Sequence, residues 1–305
     1  MTRLTSILII SACLAGIPAV LSAAPPQDTA RRAPAKPWQH LNAKQLKLKS
    51  QVALVVDRFG NEWFAKEADE PTPIASITKL MTAMVLLDSH LPLDEPVTIS
   101  KDDRDALRLT GSRLRYGATL TRAEMLTLAL MSSENRAAAA LARTFPGGET
   151  EFVRRMNLKA RTLGLTRTRF TDPTGLDAGN VSTARELARI VRAAHRYPKI
   201  REATTRSSQD VRPYKNRGPL HYVNTNRLVR GDSWHIELSK TGYINEAGRC
   251  LVMVSEIRGQ SLVLVLLNSY GKLTPIGDAN RVRRWIEQAM DKTPQVATGK
   301  DRPRS

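Results

Sequence analysis

Apolar positions crowd into short unbroken runs near the start and near the end of the chain, and thin into helical spacing between them. Gln51–Asp57 contains Val-Ala-Leu-Val-Val and is bounded by Arg58-Phe59-Gly60-Asn61. It is too short for a helix and predicts a buried strand, with Glu62–Lys66 as the return strand after the turn. Ile236–Thr241, Gly248–Ile257 and Ser261–Ser269 predict three more strands, joined through Ile244-Asn245-Glu246-Ala247 and Arg258-Gly259-Gln260. Two strands early and three late imply an antiparallel sheet completed by non-local pairing, its faces covered by the helices encoded between and after them.

Those helices are marked by their ends as much as by their period. Pro73–Leu87 reads as a mostly apolar helix with Ser76 and Lys79 in its first turn. Thr121-Arg122-Ala123-Glu124 has the form of a capping box and opens a helix through Leu130. Arg136–Arg143 is alanine-rich, Glu149–Leu163 is closed by Gly164, and Ser182–Ala194 has Ser182 or Thr183 as its cap. Ile276–Met290 predicts the last helix. His90–Gly117 is polar and loop-rich, and the basic stretch Arg196–Arg230 predicts surface loops and short strands. The chain shows no internal repeat.

The ends of the chain change the picture of where it works. Residues 1–24 carry one charge, Arg3, then an apolar run and Ser22-Ala23-Ala24, the build of a secretory signal peptide. Export across the cytoplasmic membrane is expected. Ile10-Ser11-Ala12-Cys13 resembles a lipoprotein cleavage box, but the apolar core ahead of Cys13 is short and apolar residues continue beyond it. Residues 25–50 are rich in proline, alanine, lysine and arginine and predict a flexible basic linker; 51–291 form the folded domain and 292–305 a disordered tail. Removal of the signal leaves Cys250 as the sole cysteine, so no internal disulfide is expected.

The formal net charge is +18. Lysines and arginines are scattered, without a basic helix interleaved with aromatics, so the charge suits anionic envelope polymers, lipid surfaces or carboxylate-bearing substrates better than nucleic acid. Loose association with membrane or wall is expected. The histidines His40, His90, His195, His221 and His235 show no ligand spacing, which speaks against a metal site, and no phosphate-binding glycine loop is present.

Chemistry enters with Ser76 and Lys79. Residues three apart on a helix share a face. A serine hydroxyl needs a base, and lysine serves as one when burial or a second cation lowers its pKa. Ser-x-x-Lys alone is common by chance. What raises it is order: Ser76-Ile77-Thr78-Lys79 is followed by Ser133-Glu134-Asn135, wedged between two apolar helices, and then by Lys240-Thr241-Gly242. Taken singly, Ser133 and Asn135 would more often be helix caps, Lys240-Thr241-Gly242 a solvated strand end, Asp172 and Asp177 turn formers, and Glu134 an exposed residue.

Together the three motifs resemble those of the penicillin-recognising serine D,D-peptidases, peptidase family S11. The similarity is greatest to the low-molecular-mass D-alanyl-D-alanine endopeptidases of the penicillin-binding protein 7 type. It spans Val52 to Met290 and includes Phe170-Thr171-Asp172-Pro173-Thr174-Gly175-Leu176. The resemblance implies an α+β, β-lactamase/D,D-peptidase-like fold, an antiparallel five-stranded sheet flanked by helices with a helical insertion. It implies cleavage of peptidoglycan cross-links without a cofactor, through an acyl-enzyme on Ser76 that β-lactam antibiotics also form as covalent inhibitors. In that scheme Lys79 accepts the serine proton and Ser133 relays a proton to the leaving amine. Asn135, Lys240, Thr241 and Gly242 bind substrate, with Lys240 also disfavouring protonation of Lys79. The backbone N–H groups of Ser76 and Tyr243 form the oxyanion hole. A D,D-carboxypeptidase and a non-catalytic peptidoglycan- or β-lactam-binding envelope protein are the alternatives. The absence of a Glu-x-x-Leu-Asn stretch between the second and third motifs argues against a class A β-lactamase.

Overall fold

The computed structural model describes residues 41–291. The expected signal peptide, residues 25–40 of the expected linker, and the tail from 292 lie outside them. All six residues of β1 (Val52–Asp57) are buried. The reason is a sheet covered on both faces, which is also why the strand reads as a continuous apolar run rather than an alternation. β1 pairs antiparallel with β2 (Glu62–Lys66) on one side, and Asp57 holds the turn between them by accepting hydrogen bonds from the N–H groups of Phe59 and Asn61. On its other side β1 pairs with the last strand of the sheet in sequence, β11 (Gln260–Ser269). With β9 (His235–Ile244) and β10 (Gly248–Ile257), the order is β2-β1-β11-β10-β9, so the long loop between the early and late strands is closed by non-local pairing as the pattern predicts.

The two faces of this sheet hold two cores. Val52, Leu54, Val56, Val263, Val265 and Leu267 join the larger one under the helical insertion. Its helices are α1 (Lys79–Asp88), α2 (Arg122–Met131), α3 (Asn135–Arg143), α4 (Gly148–Thr162), α5 (Ala184–Ala194) and α6 (Pro198–Thr205). Ala53, Val55, Leu262, Leu264 and Leu266 face the other way, against Ala279, Val282 and Ile286 of α7 (Thr274–Asp291). Each buried valine, leucine or isoleucine among them contributes about 1.5–3 kcal/mol. Three two-stranded ladders decorate the insertion: β3 (Thr72–Pro73) with β6 (Val181–Ser182), β4 (Pro96–Thr98) with β5 (Thr119–Thr121), and β7 (Ser208–Val211) with β8 (Leu220–Val223).

The capping box is realised at both of its bonds: Thr121 Oγ1 accepts from Glu124 N at 3.2 Å, and Glu124 Oε2 accepts from Thr121 N at 2.8 Å. Thr183, not Ser182, caps α5.

Three expectations need correction. The linker does not extend to residue 50. Leu46, Leu48 and Ser50 are buried, and Asp278 of α7 accepts hydrogen bonds from Lys49 N, Ser50 N and Ser50 Oγ. The alternation of leucine and lysine over 46–49 is that of a half-buried extended segment. Within Arg196–Arg230 the structure forms α6, a helix begun by Pro198, with Ile200 and Ala203 buried. Finally, Ser76 is not in the first turn of an α-helix. It lies in a 3-10 turn, Ala75–Thr78, that leads into α1 at Lys79.

Candidate active site

The approach to Ser76 is built by a backbone that few sequences tolerate. Ile74 N donates to Asn180 O, anchoring the end of β3, and Ala75 then takes φ +48°, in the left-handed region that costs a non-glycine residue roughly 1–2 kcal/mol. Strain of this kind persists only where surrounding contacts over-determine it. Here Gly175 supplies one of them: a Cβ at that position would lie 2.0 Å from the Ala75 carbonyl oxygen, so only glycine allows the loop to approach so closely.

That loop is organised by Asp172. Its carboxylate accepts from Gly175 N at 2.8 Å and Asp177 N at 2.9 Å, and from Thr174 Oγ1 and Asn180 Nδ2 at 2.5 Å each. The turn-forming role expected of Asp172 therefore holds, and it has a consequence at the site. It presents the Thr174 carbonyl to Lys79.

Lys79 begins α1 and is 1% exposed. Its ammonium donates to Ser76 Oγ at 2.9 Å, Asn135 Oδ1 at 2.8 Å and Thr174 O at 2.6 Å, using all three of its protons. Burial pushes its pKa down to about 8, although the negative charges of Asp172 and Glu134 act in the opposite direction. Asn135 is used at both ends of its amide, since Nδ2 donates to Thr110 Oγ1 at 3.0 Å. Glu134 is buried rather than exposed, caps α3 by accepting from Arg136 N, and has its pKa raised by burial.

A second serine–lysine pair faces the first. Ser133, at φ +60°, accepts from Lys240 Nζ at 2.9 Å, and the same ammonium donates to Thr241 O at 2.9 Å. Lys240 is 1% exposed, and burial together with the charge of Lys79 lowers its pKa well below the usual lysine range. Thr241 Oγ1 donates to Thr225 Oγ1 at 2.7 Å. β9 is the edge strand of the main sheet, and at Gly242 it passes so close to the 3-10 turn that a Cβ there would sit 3.0 Å from Ser76 N.

Ser76, Ser133, Asn135, Thr241, Gly242 and Tyr243 line one cavity of about 310 Å³, with the two lysines buried behind it. Every residue the motifs nominate is thus brought together. The motifs did not nominate Thr110, Thr174, Thr225, Arg227, Arg249 or Lys272, which line the cavity or hold its members. Asp172 and Thr174 lie within the Phe170–Leu176 segment that the resemblance marks; the others carry no local signal.

A hydroxyl bonded to a buried amine of lowered pKa, beside an open strand edge that an extended peptide can join, is the equipment of a serine acyl-transfer enzyme. The peptidase S11 family, described as D-alanyl-D-alanine carboxypeptidase, matches residues 39–271. A D-alanyl-D-alanine endopeptidase of Pseudomonas aeruginosa is 48% identical over 244 residues, covering 80% of this chain and 79% of that protein. A D-alanyl-D-alanine endopeptidase of Escherichia coli is 44% identical over 260 residues, covering 85% and 84%. Penicillin-binding protein D2 of Listeria monocytogenes, solved in a cefotaxime-bound form, superposes with a TM-score of 0.69 at 25% identity, covering 81% of this chain and 99% of that one. The chain belongs to the peptidase S11 family.

Proposed function

We propose that this chain is a serine-type D-alanyl-D-alanine endopeptidase that hydrolyses peptide cross-links of peptidoglycan and is acylated by β-lactams. The observation that carries the reading is the Lys79 ammonium held between Ser76 Oγ and Asn135 Oδ1. With Lys79 deprotonated, Ser76 Oγ attacks the D-alanine carbonyl and its proton passes to Lys79. Positioned general bases contribute about 10²–10⁴-fold. The negative charge that develops on the carbonyl oxygen is received by the backbone N–H groups of Ser76 and Tyr243, each donor of this kind contributing about 3–4 kcal/mol. The amide bond then breaks, and Ser133 gives its proton to the departing amine while taking one from the Lys240 ammonium that donates to it. Water hydrolyses the ester on Ser76 and restores the hydroxyl. Asn135, Thr241 and Gly242 hold the substrate backbone along β9. Because cross-linked peptidoglycan lies outside the cytoplasmic membrane, this reading requires export, to the periplasm in an envelope with two membranes.

Endopeptidase rather than carboxypeptidase rests on the names carried by the relatives of 48% and 44% identity. Incubation with purified cross-linked muropeptide dimers, followed by mass analysis, decides it. Release of monomers, abolished in Ser76→Ala, is the expected result. Loss of a terminal D-alanine alone would make the enzyme a carboxypeptidase, and no product at all would contradict a hydrolytic role.

A further inference from the structure

A second cavity, of about 480 Å³, lies away from Ser76. It lies between the C-terminal end of α5, the β1–β2 turn and the end of the sheet where β9 begins. β9 and β10 pair out of step there: Val254 faces Leu238 while Ser255 faces Ile236, so Glu237 is the extra residue of a β-bulge. Bulges re-aim side chains. Ile236 packs toward α7, whereas Leu238 belongs to the core on the opposite face. Glu237, the residue between them, lies on the α5 side, where His195 reaches it. His235 and Glu256 are direct cross-strand partners at the same end.

The consequence is a donor cluster that spacing along the chain could not reveal. One ligand atom each from His235, Glu237 and Glu256 lies within 4.8 Å of the others. A fourth group stands beside them: His195 Nε2, the nitrogen at the end of α5, is 2.7 Å from Glu237 Oε2. That nitrogen is buried and has no aligned hydrogen-bond partner. The side chains of His235 and Glu256 make no hydrogen bond or ion pair among the described residues. We propose that His235, Glu237 and Glu256, with His195 orienting Glu237 or joining it, form a binding site for a divalent first-row metal ion.

Imidazole with carboxylate is a donor set suited to zinc, and the carboxylates of such a site are held in place by neighbouring groups, as His195 stands against Glu237. The absence of ligand spacing among the histidines therefore does not exclude a metal, because the ligands converge across two strands and a helix end. Arg58, Arg192 and Arg196 line the cavity together with His195, Glu237 and Glu256, while His235 stands exposed at its edge; the arginines oppose the cation, which sets a limit on its affinity. Bound there, the ion would clip the start of β9 to β10 and α5, five residues before Lys240.

The test uses untagged, chelator-treated protein and zinc alone, with uptake followed by competition with a chromophoric chelator and by the thermal unfolding midpoint. One ion per chain and a raised midpoint are expected. His235→Ala and Glu256→Gln should each weaken uptake about tenfold or more, and His195→Ala to a lesser degree. His221→Ala, a histidine exposed on β8 and paired with Asp210, should leave uptake unchanged. All four variants should be acylated by penicillin at the normal rate, which shows that they fold and that the cleft is intact. Absence of saturable uptake up to about 1 mM zinc, or equal uptake by the His235, Glu256 and His221 variants, would overturn the proposal.

Discussion

Lys79 is the residue on which the chemistry turns, and its environment is a contest. Removing the ammonium from water lowers its pKa; the charges of Asp172 and Glu134 raise it; burial wins, and the group titrates at about 8. A base must be deprotonated to act. The rate of acylation by penicillin should therefore rise about tenfold per pH unit below 8 and level off above it. Stopped-flow acylation between pH 6 and 9.5 checks this, and a flat or falling profile would remove Lys79 from the role. Cys250 shows the opposite use of burial. It lines the same cavity, yet its thiol is pushed up to about 12, which keeps it protonated and unreactive beside the serine.

Among the elements, the loop around Asp172 holds the site together, and Gly175 is its most exposed point of failure. Gly175→Ala adds a methyl group 2.0 Å from the Ala75 carbonyl and places alanine at φ +81°. Left-handed strain and overpacking together should cost about 2–5 kcal/mol, lowering Tm by about 5–15 °C for a domain of this size, with acylation falling sharply. Gly117→Ala separates the two causes, since Gly117 has φ +82° but nothing within 4 Å of the added carbon. It should cost only about 1 kcal/mol and leave acylation intact. Equal effects of the two substitutions on acylation would show that the close approach to Ala75 does not position Ser76.

The same element shows what was legible in advance. A segment such as Asp172-Pro173-Thr174-Gly175 announces a turn through residue types whose backbone preferences are local. What it does not announce is that the Thr174 carbonyl meets Lys79, a contact 95 positions away in the chain. α6 leaves little trace in the sequence for a related reason: its eight residues bury only Ile200, Ala203 and Thr204, too few to establish a period among basic neighbours. The long strands and the capping box were legible because both faces of the sheet are covered and because a cap reports its own hydrogen bonds.

At the scale of the molecule, β9 joins the two sites. As the edge strand it carries Lys240, Thr241 and Gly242 past Ser76, and at its beginning it carries His235 and Glu237 into the bulge beside α5. The strand is fixed by β10 on one side, except at the bulge of Glu237, leaving the other side to contact α6 and the 3-10 turn of Ser76. Membership of the peptidase S11 family accounts for the fold and for three motifs that meet across the chain. The central claim is narrower, that Ser76 is the nucleophile. Treating the protein with penicillin, digesting it and locating the added mass tests this most directly. The account predicts a single adduct on Ser76, absent from Ser76→Ala. An adduct on Ser133, or undiminished labelling of the Ser76→Ala variant, would contradict it.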